Sequence, residues 1–132
     1  MDLTVDTSRA APPSRQLVEG ILDALAGDSI GPGERLPSVR GLAAEALVNP
    51  NTVGKAYREL ESLGVVEGRA GAGVFVTEAG PDIARRKRRG ATLVAVRSAL
   101  RVALHAGHDP ESLVREVEKV LARRAPVNGD TR

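Results

Sequence analysis

The side chains with the clearest potential for chemistry lie within residues 33–76, where Arg40, Asn51 and Lys55 occur in a short stretch. Guanidinium and amide groups can form paired hydrogen bonds with the edges of nucleic-acid bases, and an ammonium group can bind a phosphate. None of the three residues comes with the neighbouring nucleophile and base that covalent catalysis requires. These residue types therefore predict a binding surface and not a catalytic centre.

The rest of the chain offers little for catalysis or for metal binding. Cysteine is absent, which excludes disulfides and thiolate metal ligands. The two histidines, His105 and His108, flank a glycine, and the pair His108-Asp109 is explained by a turn followed by a helix cap. Two histidines alone are fewer than the ligands of a typical protein metal site. We therefore predict no catalytic residue, no metal site and no cofactor.

The composition is typical of a small helical protein. Hydrophobic residues make up 42% of the 132 residues but aromatic residues only 2%, so aliphatic side chains must form the core. No apolar run is long enough to span a membrane, and residues 1–12 lack the apolar centre of a signal peptide. We expect a soluble, cytoplasmic protein that does not bind membranes.

The charge is distributed unevenly along the chain. Residues 1–80 contain seven Lys or Arg against eleven Asp or Glu, whereas residues 81–132 contain twelve against six. A basic domain is a common property of nucleic-acid-binding proteins, and the N-terminal part does not have it. Any affinity of that part for nucleic acid must come from a few well-placed cations.

The first 64 residues predict three helices. Residues 1–11 are expected to be a flexible lead-in, and a first helix is expected over residues 14–26, capped by Ser14. Ser38 is the expected N-cap of a second helix, and Asn49, followed by Pro50, is the expected N-cap of a third helix that ends near residue 63. Because only a few residues separate the second and third helices, the pair predicts a helix-turn-helix.

Two short strands follow, over residues 65–67 and 74–76, joined by a glycine-rich connection. This pattern indicates a hairpin, the wing of a winged helix-turn-helix. A phosphate-binding loop would need Gly-Lys-Ser or Gly-Lys-Thr leading into a helix, and strands flank the glycines here. At the tip, Gly71 and Gly73 would let the backbone approach DNA closely, and Arg69 beside them could enter a groove.

The C-terminal part predicts two further helices. Pro81 marks the expected boundary, Asp82 the cap of a long helix to about residue 106, and Asp109-Pro110 the start of the last helix. About fifty residues are too few to bury two wide apolar faces or to enclose a ligand, so we expect a homodimer. The expected interface residues are aliphatic and spaced at helical intervals: Leu93, Val96, Leu100, Leu104, Leu113, Val117 and Leu121.

The predicted fold class is mainly α with a small β-wing: a winged helix-turn-helix over residues 12–79, a two-helix dimerisation segment over residues 81–124, and a tail over residues 125–132. Three motifs carry a resemblance to a known family: LPSVR, NTV-x-KAY-x-EL and G-x-G-V-F-V. In this order they resemble the N-terminal domain of the GntR family of bacterial transcription factors. The short C-terminal part resembles the YtrA-type subfamily.

The resemblance implies which residues meet DNA. Arg40 corresponds to the arginine of the family's P-S-x-R motif, Asn51 and Thr52 head the recognition helix, and the glycine-rich tip is the wing. Two positions depart from the family: Gly54 replaces a common Arg or Gln, and Leu47 occupies a turn position often held by glycine.

We expect Arg40 and Asn51 to contact bases, and Arg35, Ser38, Thr52 and Lys55 to contact phosphates. The other candidate DNA-binding residues are Asn49, Tyr57, Arg69, Gly71 and Gly73. Some of them have a structural alternative. N-capping alone explains Ser38 and Asn49, Tyr57 lies on the apolar face of its helix, and Arg35 can be a solvated surface residue.

Two alternatives concern larger parts of the chain. The basic run at residues 85–89 is either a solvated helix face or a non-specific contact to phosphates. The whole protein is most simply a transcriptional regulator, a repressor that binds a palindromic operator as a homodimer. The other function is a winged-helix protein-interaction module with incidental DNA affinity. The sequence does not reveal a small-molecule effector.

Overall fold

A computed structural model describes residues 2–124 of the chain, so the tail predicted at residues 125–132 lies outside the described residues. The chain divides into two compact units, one up to Ala91 and the other from Thr92 onward. Its elements, in order, are α1 (Pro13–Ala26), α2 (Val39–Ala46), α3 (Pro50–Leu63), β1 (Val66–Arg69), β2 (Gly73–Val76), α4 (Gly80–His105) and α5 (Pro110–Ala122). The expectation of a mainly helical fold with a small wing is confirmed.

The core of the first unit is the aliphatic interior that the composition predicts. The side chains exposed by 1% or less include Leu17, Val18, Ile21 and Leu25 of α1, Leu42 of α2, and Val53 and Leu60 of α3. Each fully buried aliphatic side chain of this kind stabilises the fold by about 1.5–3 kcal/mol. Packing of α3 on α1 and α2 therefore fixes which face of α3 remains in solvent.

The helix boundaries follow from local capping. Ser38 and Asn49 are the N-caps of α2 and α3, as expected, and Gly64 ends α3 in a left-handed conformation with φ 86°. The expected cap at Ser14 is wrong, because α1 begins at Pro13 and its N-cap, Pro12, makes no side-chain hydrogen bond. Proline suits the first turn of a helix since its missing N–H would have no partner there.

The first residues of the chain pack against α1, which the expectation of a flexible lead-in does not account for. Leu3 is 7% exposed and rests over Gly20, where a Cβ would come within 2.6 Å of its methyl carbon. Gln16 fixes the backbone of this segment: its amide nitrogen donates to the carbonyls of Asp6 and Ala11, each at 2.9 Å, and its amide oxygen accepts from the Asp6 N–H at 2.8 Å. The composition of the first eleven residues could not reveal this packing, because it depends on Gly20 and Gln16 of α1.

The wing is an antiparallel pair of β1 and β2, extended by the segment before α2. Gly33 donates to the carbonyl of Val76 at 2.9 Å, and Val76 donates to that of Glu34 at 2.8 Å. Leu36 donates to the carbonyl of Val74 at 2.8 Å. The segment leading into α2 is therefore hydrogen-bonded to the edge of β2 that does not pair with β1.

The first C-terminal helix begins slightly earlier than expected. Asp82 is not its cap, because α4 starts at Gly80 and carries Pro81 and Asp82 in its first turn. The start of α5 is as expected: Asp109 accepts a hydrogen bond from the Ser112 N–H at 3.1 Å. Hydrogen bonds from Ser112 lower the pKa of the Asp109 carboxyl.

The second unit leaves its apolar side chains in solvent. No residue of α5 is buried. Among the described residues, every exposed large hydrophobic side chain except Leu47 lies between Leu93 and Leu121. None of the described helices is both long enough and apolar enough to cross a bilayer.

We predict that Leu47→Gly stabilises the protein. Leu47 has φ 59° and ψ 47°, the left-handed region, and its side chain is 89% exposed, so it gains little from burial. A residue with a Cβ is strained in this conformation and glycine is not. We expect the free energy of unfolding to rise by about 0.5–1 kcal/mol in urea denaturation.

Leu47→Ala is the matched control for that experiment, since it removes the side chain but keeps the Cβ. We expect it to leave the free energy of unfolding close to that of the unchanged protein. A glycine variant no more stable than the alanine variant would show that the turn at Leu47 is not strained.

We also predict that Tyr57→Phe destabilises the fold. The Tyr57 hydroxyl donates to the carbonyl of Pro37 at 2.7 Å, and the residue is only 5% exposed. Phenylalanine keeps the ring but leaves that carbonyl without its donor, which costs about 1 kcal/mol. The denaturation midpoint in urea should fall with an unchanged slope; an unchanged midpoint would contradict the structural role of the hydroxyl.

Candidate nucleic-acid interface

The outer face of α3 carries the predicted recognition residues. Asn51 and Lys55 are exposed and Thr52 is half-buried, while Val53 and Ala56 face the core. This division follows from the helical period, because residues three and four apart share a face. The N-terminal end of α3 carries the partial positive charge of the helix dipole, which favours a phosphate nearby.

The start of α2 presents a cation beside a capped helix end. The Ser38 hydroxyl accepts from the Gly41 N–H at 3.0 Å. Arg40 is exposed and makes no hydrogen bond or ion pair within residues 2–124. Its guanidinium is therefore available to a ligand.

Two other candidates have a capping role. The side-chain oxygen of Asn49 accepts a hydrogen bond from the Asn51 N–H at 2.7 Å. Asn49 and Ser38 therefore both cap a helix, which is the structural role that the sequence offered as the alternative to DNA contact. Asn49 and Thr52 also line one groove together with the N-terminal segment, including Thr4. The structure thus adds this segment to the surroundings of the recognition helix, which the sequence pattern did not indicate.

Tyr57 is a core residue, in contrast to its place among the expected DNA contacts. Its hydroxyl donates a hydrogen bond to the carbonyl of Pro37. Burial, and to a smaller extent the nearby Glu45 carboxylate, raises the pKa of that hydroxyl. The bond ties α3 to the residues that lead into α2. Tyr57 therefore positions the two helices relative to each other, and its apolar helix position was the signal for this role.

The tip of the wing has free space around Gly71, but the side chain of Arg69 has partners within the wing. A Cβ at Gly71 would meet nothing within 4 Å, and the residue has φ 73°. Arg69 forms an ion pair with Glu67 at 3.2 Å, and its guanidinium carbon lies 4.2 Å from the centre of the Phe75 ring. An exposed pair of this kind contributes about 1 kcal/mol or less, so a phosphate can compete for the arginine.

Arg35 belongs to the wing and not to the start of α2. Its backbone pairs with Phe75, and its Nε would lie 2.6 Å from a Cβ at Gly73, whose φ is 117°. The positive φ of this residue favours glycine, and the flexible guanidinium of Arg35 lies over it. The structure brings Arg35 and Arg69 to the same hairpin.

The acidic residues of α3 are occupied by the fold. Glu59 pairs with Arg15 of α1 at 2.7 Å, and Glu61 accepts from the Gly68 N–H of β1 at 3.1 Å. A carboxylate close to a DNA backbone repels its phosphates. The ion pair with Arg15 reduces that repulsion at Glu59, whereas Glu61 keeps its negative charge because its partner is a neutral backbone N–H.

The basic run at residues 85–89 includes a role that neither sequence interpretation contained. Arg85 donates to the carbonyl of Ala26 at 3.1 Å and to Asp82 at 2.8 Å, and Arg88 pairs with Asp23 at 2.7 Å. The bond from Arg85 lowers the pKa of the Asp82 carboxyl. These two arginines bind the start of α4 to the C-terminal end of α1, where the partial negative charge of a helix favours cations.

No group of three or more His, Asp or Glu among the described residues is placed to hold a metal ion. His105 ends α4 and His108 follows it, and both are exposed. The functional candidates of this structure are therefore surface polar groups on α2, α3 and the wing.

Comparison with known proteins agrees with this geometry. A sequence model of the family described as "Bacterial regulatory proteins, gntR family" matches residues 13–76. The HTH-type transcriptional regulator Rv1152 of Mycobacterium tuberculosis is 39% identical over 98 residues, 74% of this chain and 81% of that protein. The HTH-type transcriptional repressor YtrA of Bacillus subtilis is 37% identical over 58% of each chain.

Solved structures extend the likeness beyond the matched residues. A GntR family transcriptional regulator from Listeria monocytogenes has a TM-score of 0.65 and 27% identity, covering 87% of this chain and 98% of its own. YtrA from Sulfolobus acidocaldarius, a GntR-family transcription factor, has a TM-score of 0.58 and 27% identity, covering 76% of this chain and 98% of its own. The AraR DNA-binding domain in complex with operator ORE1 has a TM-score of 0.50 and 26% identity, covering 55% and 89%. From its motifs, its fold and these relatives, the chain belongs to the GntR family of bacterial regulatory proteins and is similar to the YtrA-like members.

Proposed function

We propose that this protein is a transcriptional regulator that binds double-stranded DNA at a specific sequence. The observation that carries the proposal is the exposed polar face of α3, where Asn51 and Lys55 follow a capped helix start, with the unpaired Arg40 on α2. These groups match the requirements of base and phosphate contacts. The similar AraR domain, solved with its operator, supports the same use of the fold.

Repression is the regulatory effect that we propose. A regulator without a catalytic centre acts most simply by occupying a promoter, and the Bacillus subtilis relative carries the name of a repressor. The protein would act in the cytoplasm, where its operator lies, and its function would not be enzymatic.

The second unit supports the proposal of a homodimer. Leu93, Val96, Leu104, Val117 and Leu121 are each 42–54% exposed, which a single copy has no means to bury. Leu100 and Leu113 are half-buried and line an apolar groove between α4 and α5 of about 320 Å³. A second copy would remove these faces from water and present two reading heads to half-sites about one helical turn apart.

A protein-interaction module is the second candidate function. The acidic balance of residues 1–80 favours it, since bulk charge there would repel DNA. Against it stand Arg40 and Lys55 of the α2–α3 surface, which have no ion pair within residues 2–124. Selection of genomic fragments by the purified protein, followed by a gel shift, separates the two functions: a regulator enriches one sequence pattern and a protein-interaction module enriches none.

We predict that Arg40→Ala weakens binding to the selected operator by about 1–3 kcal/mol and relaxes the preference at one base position. The reason is that a paired guanidinium–guanine contact discriminates one base pair from the others. Fluorescence anisotropy with the operator and with single-base variants measures both effects. Unchanged affinity and unchanged preference would remove Arg40 from base readout.

Lys55→Ala is the matched control, because it removes one exposed cation from the neighbouring helix. We expect it to weaken binding to all sequences alike and to reduce the slope of log K against log salt by about one. A loss of preference at one base in this variant would show that Lys55 reads sequence as well.

For the dimer, we predict twice the chain mass by light scattering at micromolar concentration, and a monomer for Val96→Glu. Val96 is 50% exposed and belongs to the proposed interface, where a buried unpaired carboxylate would be costly. Val102→Glu is the control, since Val102 is 67% exposed and lies on another side of α4. A monomeric mass for the unchanged protein would contradict the proposal.

A further inference from the structure

Arg58 lies on the outer face of α3, one turn beyond the residues already assigned to DNA. The core positions Val53 and Leu60 define the inner face, and the helical period places Arg58 with Asn51 and Lys55 on the opposite side. Side chains of a helix lean toward its N-terminus, so a long side chain at residue 58 extends over the preceding turn. That turn is the part of α3 that carries Asn51 and Lys55.

Arg58 is not paired with the glutamates of its own helix. A helical arginine can pair with a carboxylate three or four residues away. Glu61 is three residues away, and its carboxylate accepts a hydrogen bond from the Gly68 N–H of the wing. Glu59 is adjacent in sequence, so it does not face Arg58, and it pairs with Arg15. Arg58 makes no hydrogen bond or ion pair in the part of the chain that the structure describes.

Gly54 gives the guanidinium its position. A Cβ built at Gly54 would lie 3.4 Å from Nη1 of Arg58, which is ordinary van der Waals contact. The guanidinium therefore rests against the helix backbone at the place where a longer side chain would project. Glycine lowers helix stability by about 1 kcal/mol at an interior position, and here its absence of a side chain leaves room for Arg58.

We propose that Arg58 is a specificity-determining residue that recognises a guanine in the major groove. A guanidinium can donate two parallel hydrogen bonds to O6 and N7 of guanine, which no other base pair offers in that arrangement. Gly54 acts as a positioning feature, because its lack of a side chain leaves room for the fork against the outer face of α3. This inference rests on the proposed function, since it requires α3 to enter the groove of DNA.

The test first compares the DNA sequences that the unchanged protein and Arg58→Ala enrich. Dissociation constants are then measured for operators that differ only at the base pair where the two enriched sequences differ. We expect the unchanged protein to require guanine there, and the variant to lose about tenfold of its preference for guanine over adenine. Circular dichroism and urea denaturation should show an unchanged fold, because the side chain is exposed and unpaired.

Two further variants distinguish base recognition from a phosphate contact and from a general loss of charge. Arg58→Lys keeps the charge but not the fork, so it should keep the salt dependence and still lose the preference for guanine. Gly54→Leu keeps Arg58 but displaces its guanidinium, so it should lose the same preference. Gly54→Ala should keep it, since its Cβ makes only ordinary contact.

Two results would overturn the assignment of Arg58. One is an unchanged sequence preference in Arg58→Ala. The other is uniform weakening on all sequences that Arg58→Lys restores, which identifies a phosphate contact. If the unchanged protein enriches no sequence, the proposed function fails as well, so the two failures are distinguishable.

Discussion

The packing of α3 on α1 is the constraint on which the rest of the first unit depends. Val53, Ala56 and Leu60 are fully buried, and the helical period then leaves the other face of α3 in solvent. The Tyr57 hydroxyl, bonded to the carbonyl of Pro37, ties the same helix to the entry into α2. One apolar stripe thus determines both the stability of the reading head and the direction of its polar surface.

Electrostatics on this surface depend on which charges the fold uses for itself. Glu59 and Glu61 are bound to Arg15 and to the wing backbone, whereas Arg40 and Lys55 have no such partner within residues 2–124. Because each ion pair takes up one charge of each sign, pairing does not change the net charge of the N-terminal part. It changes which charged groups on this surface are available to a ligand.

The two units differ in how far they bury their own apolar side chains. The first unit buries its own aliphatic side chains, down to Leu3 at the start of the chain. The second keeps a row of leucines and valines exposed, and two helices are too few to enclose them. In the first unit, Arg85 and Arg88 bind the start of α4 to the end of α1, so part of the basic run serves the fold.

The sequence by itself determined the helix-turn-helix, the wing, the caps at Ser38 and Asn49, and the apolar stripes, because these depend on residues close together in the chain. Tertiary structure alone decided the burial of Leu3 over Gly20 and the place of Arg35 over Gly73, because each depends on a contact between distant segments. It also decided the partners of Glu59 and Glu61 on α3, because Arg15 and Gly68 are supplied by other elements.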